Sequence, residues 1–321
     1  PPTTFGSKVH ACDQIRERLG SVVAPAGHAK TELIVRAAIL GKRTLILTHT
    51  HAGVHAIRAR LKRLGADPKG SAVDTIASWA SRYASAFPRK GKPIDRMPLG
   101  ADWGRVYQGG IDVLNVSAVR SVVLASYDRI LVDEYQDCDL IQHELVCALS
   151  RLLPTIVFGD SMQGIFDFRG NPSVSWQRDV FPKFPLVGAL EEPMRWKSTN
   201  PDLGAWVAKV RGQLERGEAI DLNDPAVVHV QCKDDADLSP LFEGMEDHGR
   251  SVAAIHCRRD TCDRLARFSM GSYQAIEDVA AKSLQGFATK WDQETNGTKR
   301  AELLKDFLKA LLTLKKLPEG E

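Results

Sequence analysis

The chain lacks several features that would assign its class directly. None of its six cysteines (Cys12, Cys138, Cys147, Cys232, Cys257, Cys262) forms a Cys-x-x-Cys pair, and their spacing matches no zinc pattern. The nine histidines are equally dispersed, so the cysteines are read as reduced and mostly structural. No apolar run reaches membrane length and no signal-peptide pattern is read. The expectation is therefore no membrane partner, with the cytoplasm as the default compartment. Internal repeats and low-complexity tails are missing too. Charge is nearly balanced at +3, which permits nucleic acid as a partner without demanding it. What remains is 321 residues, 43% hydrophobic and 26% charged. That is the composition of a globular chain of one large or two ordinary domains.

The stretch that organises the rest is Val22-Val23-Ala24-Pro25-Ala26-Gly27-His28-Ala29-Lys30-Thr31. It reads as a short apolar strand, a tight loop of small residues, then Lys-Thr opening a helix. Backbone N–H groups and a helix N-terminus there point at an anion, the lysine adds charge, and the threonine hydroxyl suits Mg²⁺. The strict phosphate-loop pattern wants glycine where Ala24 and Ala29 stand. Taken alone, the stretch is equally an ordinary strand, turn and amphipathic helix. Read as a site, the candidate nucleotide-binding set is Ala26, Gly27, His28, Ala29, Lys30, Thr31 and Glu32.

A helical pattern around 13–19 precedes this stretch and stops at Gly20. After it, Arg43 to Thr48 reads as a buried strand and Val54 to Leu64 as a basic helix, which makes a βαβ pattern and a parallel sheet. Val73 to Ile76 leads into a helix, residues 88–104 form an exposed excursion, and helical patterns run to about 126. Two further strands, the runs Arg129 to Asp137 and Thr155 to Asp160, end in acids. Leu186 to Leu190 closes this half. Beyond 200 a helix spans roughly 201–216. Residues 227–230 and 251–257 read as strands, a basic helix follows from Arg258 to Phe268, and 274–317 is helical. Its apolar stripe (Leu303, Leu304, Phe307, Leu308, Leu311, Leu312) is expected to be a packed face.

Ligands in open α/β sheets bind at the carboxyl ends of strands. Asp133-Glu134 stands at one such end. Beside a phosphate loop the first acid can share a metal with Thr31, and the second can orient or deprotonate the attacking water. Strand-end acids also serve as plain helix caps. Asp160 ends another strand, and Gln163 beyond it is a candidate for reading the γ-phosphate or the water.

Together these residues resemble the superfamily 1A DNA helicases of the UvrD/Rep type. Ala24 to Thr31 looks like their motif I, where alanine often stands first. Leu45 to Thr50 with Ala52 resembles motif Ia, and Asp74-Thr75-Ile76 with Trp79 resembles motif Ib. Leu131 to Asp137 is similar to motif II, Phe158 to Gly170 to motif III, and Leu190 to Trp196 to motif IV. The fold this implies is an α/β P-loop NTPase (RecA-like) parallel sheet flanked by helices, followed by a partial second domain with a helical segment. The expected division is 1–200 for the ATP-binding domain, with a helical insertion at about 76–126. The start of a second RecA-like domain would take 201–270, and an insertion-like helical segment 271–321.

The resemblance also implies ATP and Mg²⁺ as cofactors. Lys30, Asp133, Glu134, Gln163 and Arg195 would be the catalytic set, with Thr31 and Asp133 on the metal. Arg195 as an arginine finger rests on the resemblance alone, as does Gln14 as a reader of adenine. The implied partner is a single strand of nucleic acid, DNA ahead of RNA. It would be contacted by Thr48, His49, Thr50 and Thr75, with Phe166 and Phe168 stacking on bases and Arg169 bridging strand and nucleotide. Two departures stand out. Alanine replaces the glycine before the lysine, at Ala29, and motifs V and VI are not found. The expectation is a fragment of a longer 3′–5′ translocase or helicase that alone binds nucleotide weakly and hydrolyses little. The alternative is a nucleotide-binding regulatory module, for example in a repair or defence complex, that unwinds nothing.

Overall fold

The computed structural model describes residues 17–164, 173–232, 234, 237, 239–241, 253–256, 258–270, 272–275 and 282–312. The chain divides into two compact units, Pro1–Val227 and Val228–Glu321.

The first unit is built on a six-stranded sheet: β1 (Leu19–Val23), β2 (Thr44–Thr48), β3 (Ser71–Thr75), β4 (Arg129–Val132), β5 (Thr155–Gly159) and β6 (Leu186–Ala189). Spatial order is β3-β2-β4-β5-β1-β6, and every pairing is parallel. Parallel neighbours need crossovers, which the helices supply. These are α1 (Lys30–Leu40), α2 (His51–Arg63), α3 (Ile76–Ala86), the single turn α4 (Pro88–Gly91), α5 (Asp102–Val113), α6 (Ser117–Ser126), α7 (Leu140–Ser150) and α8 (Pro201–Glu215). The unit is an α/β sheet of the RecA-like P-loop kind.

The inner strands β1, β2, β4 and β5 are largely apolar because both faces are buried. Their alternation sorts the side chains between two cores. Ile46, Leu131, Ile156 and Phe158 meet α1 and α2 through Ile34, Val35 and Ile57. Leu45, Leu47, Ile130, Val132 and Val157 face the other way, onto α3, α5, α6 and α7, where Trp79, Val113, Val123 and Leu145 are buried. The helices α3 to α6 lie between β3 and β4. Because all six strands run the same way, their carboxyl ends share one edge. There β5 alone separates β1, which carries the loop, from β4, which carries the acid pair.

Several local expectations need correction. Leu19 and Gly20 belong to strand β1, not to a helix end; residues 13–16 lie outside the described residues. Gly20 is there because β6 passes so close: a Cβ would lie 2.6 Å from Val187 Cγ1. The excursion 88–104 includes α4 and the start of α5. Helix α8 lies in the first unit, which runs on to Val227.

Among the described residues of the second unit, Val228, His229 and Val230 pair with no strand, nor do residues 253–256 of the other expected strand. Val228 and Ile255 are almost fully exposed. The expected basic helix is present as α9 (Arg259–Phe268), packed through Leu265 and Ala266. The long helical stretch is two helices, α10 (Lys282–Gln293) and α11 (Gly297–Leu312), with Phe287 stacked on Phe307 at 4.4 Å. Leu304 of the expected apolar stripe is exposed. Among the described residues no single helix is long and apolar enough to cross a membrane.

Candidate nucleotide site

The loop after β1 is tied at both ends. The Ala24 N–H donates to the Gly159 carbonyl at 2.9 Å, which pins it to the end of β5. The His28 N–H donates to Pro25 O at 3.1 Å and closes a turn, and His28 Nδ1 lies 2.9 Å from Ala26 O. Gly27 has φ 77°, a left-handed conformation that glycine adopts without strain. Ala29 shares that region at φ 61°, ψ 30°, and its methyl group does not suit it. Helix α1 follows with no side-chain cap. Its first N–H groups therefore keep their hydrogen-bonding capacity at the positive end of the helix dipole.

Lys30 opens α1. Its Nζ stands 3.0 Å from Asp133 Oδ1 and also bonds Glu134 Oε2. Lys30 has three N–H donors, so one remains. Burial alone would push the ammonium pKa down, but the two carboxylates more than reverse this and hold it above its ordinary value. Burial pushes the Asp133 carboxyl up, with Lys30 pulling against it. Burial also acts upward on Glu134, yet Lys30 and the Gln136 amide outweigh it and keep that carboxyl below its ordinary value. Glu134 thus accepts from Lys30 and Gln136 as a carboxylate.

Backbone geometry aims these acids. Asp133 N–H donates to Leu47 O at 2.8 Å, continuing the sheet past β4. Glu134 then turns sharply at φ 53°, its N–H donating to Asp133 Oδ1 at 2.9 Å. Gln136 Nε2 donates to Glu134 Oε2 at 2.8 Å, while Gln136 Oε1 accepts from the Asp160 N–H at 3.1 Å. Gln163 Nε2 in turn donates to Asp160 Oδ2 at 2.8 Å. One chain of polar contacts therefore joins Lys30, Glu134, Gln136, Asp160 and Gln163.

The other expected residues fall into distinct groups. Thr31 lies beside Lys30 in the first turn of α1. Glu32 is held by Arg36 and Arg60, both at 2.6 Å, a clamp between α1 and α2. Thr48 is buried in β2. His49 Nε2 stands 3.4 Å from Cys138 Sγ, and burial lowers its pKa to about 4, so it is neutral near pH 7. Thr50 caps α2 by accepting from Gly53 N–H at 3.0 Å, and Thr75 caps α3 by accepting from Ser78 N–H at 2.9 Å. Arg195 is exposed, but its N–H donates to Gly27 O at 2.8 Å. Gln14, Phe166, Phe168 and Arg169 lie outside the described residues.

Residues 101–174 match the family model of the UvrD/REP helicase N-terminal domain. Over those residues the chain is similar to the N-terminal domain of UvrD/REP helicases. UvrD-like helicases are ATP-dependent enzymes that use ATP, generally with Mg²⁺, and act on nucleic acid. The matched residues take in Asp133, Glu134, Asp160 and Gln163. The loop at 24–31 and Arg195 lie outside them. No curated protein matches the chain.

Three residues of this site carry no role that the sequence alone suggests. Gln136 and Trp196 stood inside the recognised runs, where only a structure reveals the partner of each. Arg211, on α8, meets Asp160 with two guanidinium nitrogens at 2.7 and 2.8 Å. A lone helix arginine carries no local signal of such a contact.

Proposed function

We propose that the chain is the nucleotide-binding part of an ATP-driven, single-stranded DNA translocase or helicase that moves 3′ to 5′. The observation that carries this reading is Lys30, at the uncapped start of α1, bridging Asp133 and Glu134 across β5. The residues present fit a nucleoside triphosphate with its magnesium ion. A buried ammonium with a donor to spare suits a terminal phosphate, and a threonine hydroxyl with a carboxylate are hard oxygen donors. Thr31 and Asp133 would hold the ion, which when bound neutralises phosphate charge.

Each residue then has a task. Lys30 binds the terminal phosphates. Glu134, ionised, orients the attacking water and accepts its proton, while the Gln136 amide holds the carboxylate in place. Gln163 reads the γ-phosphate or the water. Arg195, attached to the loop through Gly27, neutralises charge as phosphate leaves. Thr48, His49, Thr50 and Thr75, at the ends of β2 and β3, support a track for single-stranded nucleic acid along the same edge of the sheet. Phe166, Phe168 and Arg169 belong to that track by resemblance. The test is nucleotide hydrolysis by the longest natural chain carrying these residues, with and without single-stranded DNA. Strong stimulation supports a motor.

A second reading is a nucleotide-dependent interaction module in a repair or defence complex, and Ala29 favours it. Its left-handed backbone with a side chain at the phosphate loop suits slow turnover. Retained nucleotide binding with a flat, near-zero hydrolysis rate would support that reading.

A further inference from the structure

Helix α8 contributes no residue to the recognised motifs, yet it reaches the centre of the site. Arg211 places Nη1 2.7 Å from Asp160 Oδ2 and Nη2 2.8 Å from Asp160 Oδ1. This bidentate fork fixes the carboxylate in its plane, which a point charge could not do. Asp160 is buried, and the rest of its capacity is taken by Met162 N–H at 3.1 Å and Gln163 Nε2 at 2.8 Å. Arg211 is held from its other side by Glu215, one helical turn on, at 3.0 Å.

The geometry points to Arg211 as a positioning residue of the nucleotide site: by gripping both oxygens of Asp160 it sets where Gln163 stands. This rests on the reading of the site as one for nucleoside triphosphate. Asp160 Oδ2 is shared by Arg211 and Gln163, so any movement of the carboxylate carries the Gln163 amide with it. The Asp160 N–H also holds Gln136, the residue on Glu134. Arg211 therefore acts where nucleoside triphosphate differs from diphosphate, and touches neither the loop nor Lys30. Its removal leaves diphosphate binding intact and weakens recognition of the third phosphate. A merely structural arginine would alter both affinities alike, or neither.

The test titrates fluorescent ADP and the slowly hydrolysed triphosphate ATPγS into the full chain. The variants are Arg211→Gln, Arg211→Lys, Asp160→Asn, Gln163→Ala and Lys30→Ala. Arg211→Gln is expected to keep ADP affinity within about twofold while lowering the preference for ATPγS over ADP by about tenfold, as one lost charge-assisted hydrogen bond would. Gln163→Ala should show the same loss, and the double variant no more than either. Arg211→Lys should fall between. Should Arg211→Gln not fold, Asp160→Asn and Arg211→Lys carry the same comparison. An unchanged preference in the Arg211 variants, with the loss present in Gln163→Ala, would overturn the role of Arg211 and leave the nucleotide site standing. An unchanged preference in Gln163→Ala would overturn it as well. Wild-type binding of both nucleotides by Lys30→Ala would overturn the site reading and this inference together.

Discussion

The Arg195 N–H donates to the Gly27 carbonyl at 2.8 Å, so the segment after β6 is fastened onto the phosphate loop. The neighbouring Trp196 ring lies against the same glycine, where a Cβ would come within 2.7 Å of Cζ3. Gly27→Ala meets both this ring and a φ of 77°, and should cost about 2 kcal/mol of stability. Trp196→Ala removes the clash but not the backbone strain. The double variant should therefore be less destabilised than the sum of the singles, by about 1 kcal/mol. Denaturant melts of the four proteins check this. Strict additivity would place the ring away from the loop.

Ala29 is the second prediction. Its φ of 61° is costly for any residue with a Cβ. Ala29→Gly should raise stability by about 1 kcal/mol, measured by denaturant melts, and should raise nucleotide turnover in the complete protein. Higher stability with unchanged turnover would mean the methyl group does not impede the chemistry.

Thr50 and Thr75 separate structure from contact. Each accepts a backbone N–H at the start of a helix, so replacement by alanine should cost about 1 kcal/mol, while serine should cost little. If they also touch nucleic acid, the alanine variants lose affinity for single-stranded DNA under conditions where they remain fully folded, and the serine variants keep it. Fluorescence anisotropy beside thermal melts reads both.

The Asp160–Arg211 pair fixes a pH dependence. Burial acts to raise the Asp160 pKa, but the Arg211 fork and the Gln163 amide outweigh it, leaving it below the ordinary carboxylate value. The folded state thus binds the Asp160 proton less readily than the unfolded chain. Its contribution to stability is complete above the unfolded carboxylate pKa of about 4 and fades as pH falls through the folded value. In Asp160→Asn this part of the acid limb should disappear, leaving a flatter decline below about pH 4 in melts across acid pH. An acid limb as steep as that of the wild type would contradict it.

Strands β1, β2, β4 and β5 were legible because burial on both faces makes each a short, largely apolar run, whereas edge strand β3, with Ser71 and Asp74, carries no such run. The crossover helices follow from the 3.6-residue pattern. Lys30, Asp133 and Glu134 could be paired from sequence because each sits at a strand end, and strand ends share one edge. The strands expected at 227–230 and 251–257 failed for a matching reason. β-branched composition marks what can join a sheet, and among the described residues of the second unit no partner strand is present. Gly20 read as a helix stop because its actual constraint, the approach of Val187, comes from a strand far along the chain. Arg211 escaped for the same reason: its partner lies 51 residues away, and nothing in its own helix marks the contact.

The central claim is that Glu134, held between Lys30 and Gln136, is the base of a nucleic-acid-stimulated nucleotide hydrolysis. The direct measurement is the steady-state ATP hydrolysis rate of the wild type and of Glu134→Gln, with and without single-stranded DNA. The account predicts stimulation of the wild type by single-stranded DNA and a fall of about 100-fold or more in the variant, with nucleotide binding retained. Equal rates in the two proteins, or a wild-type rate indifferent to DNA, would contradict it.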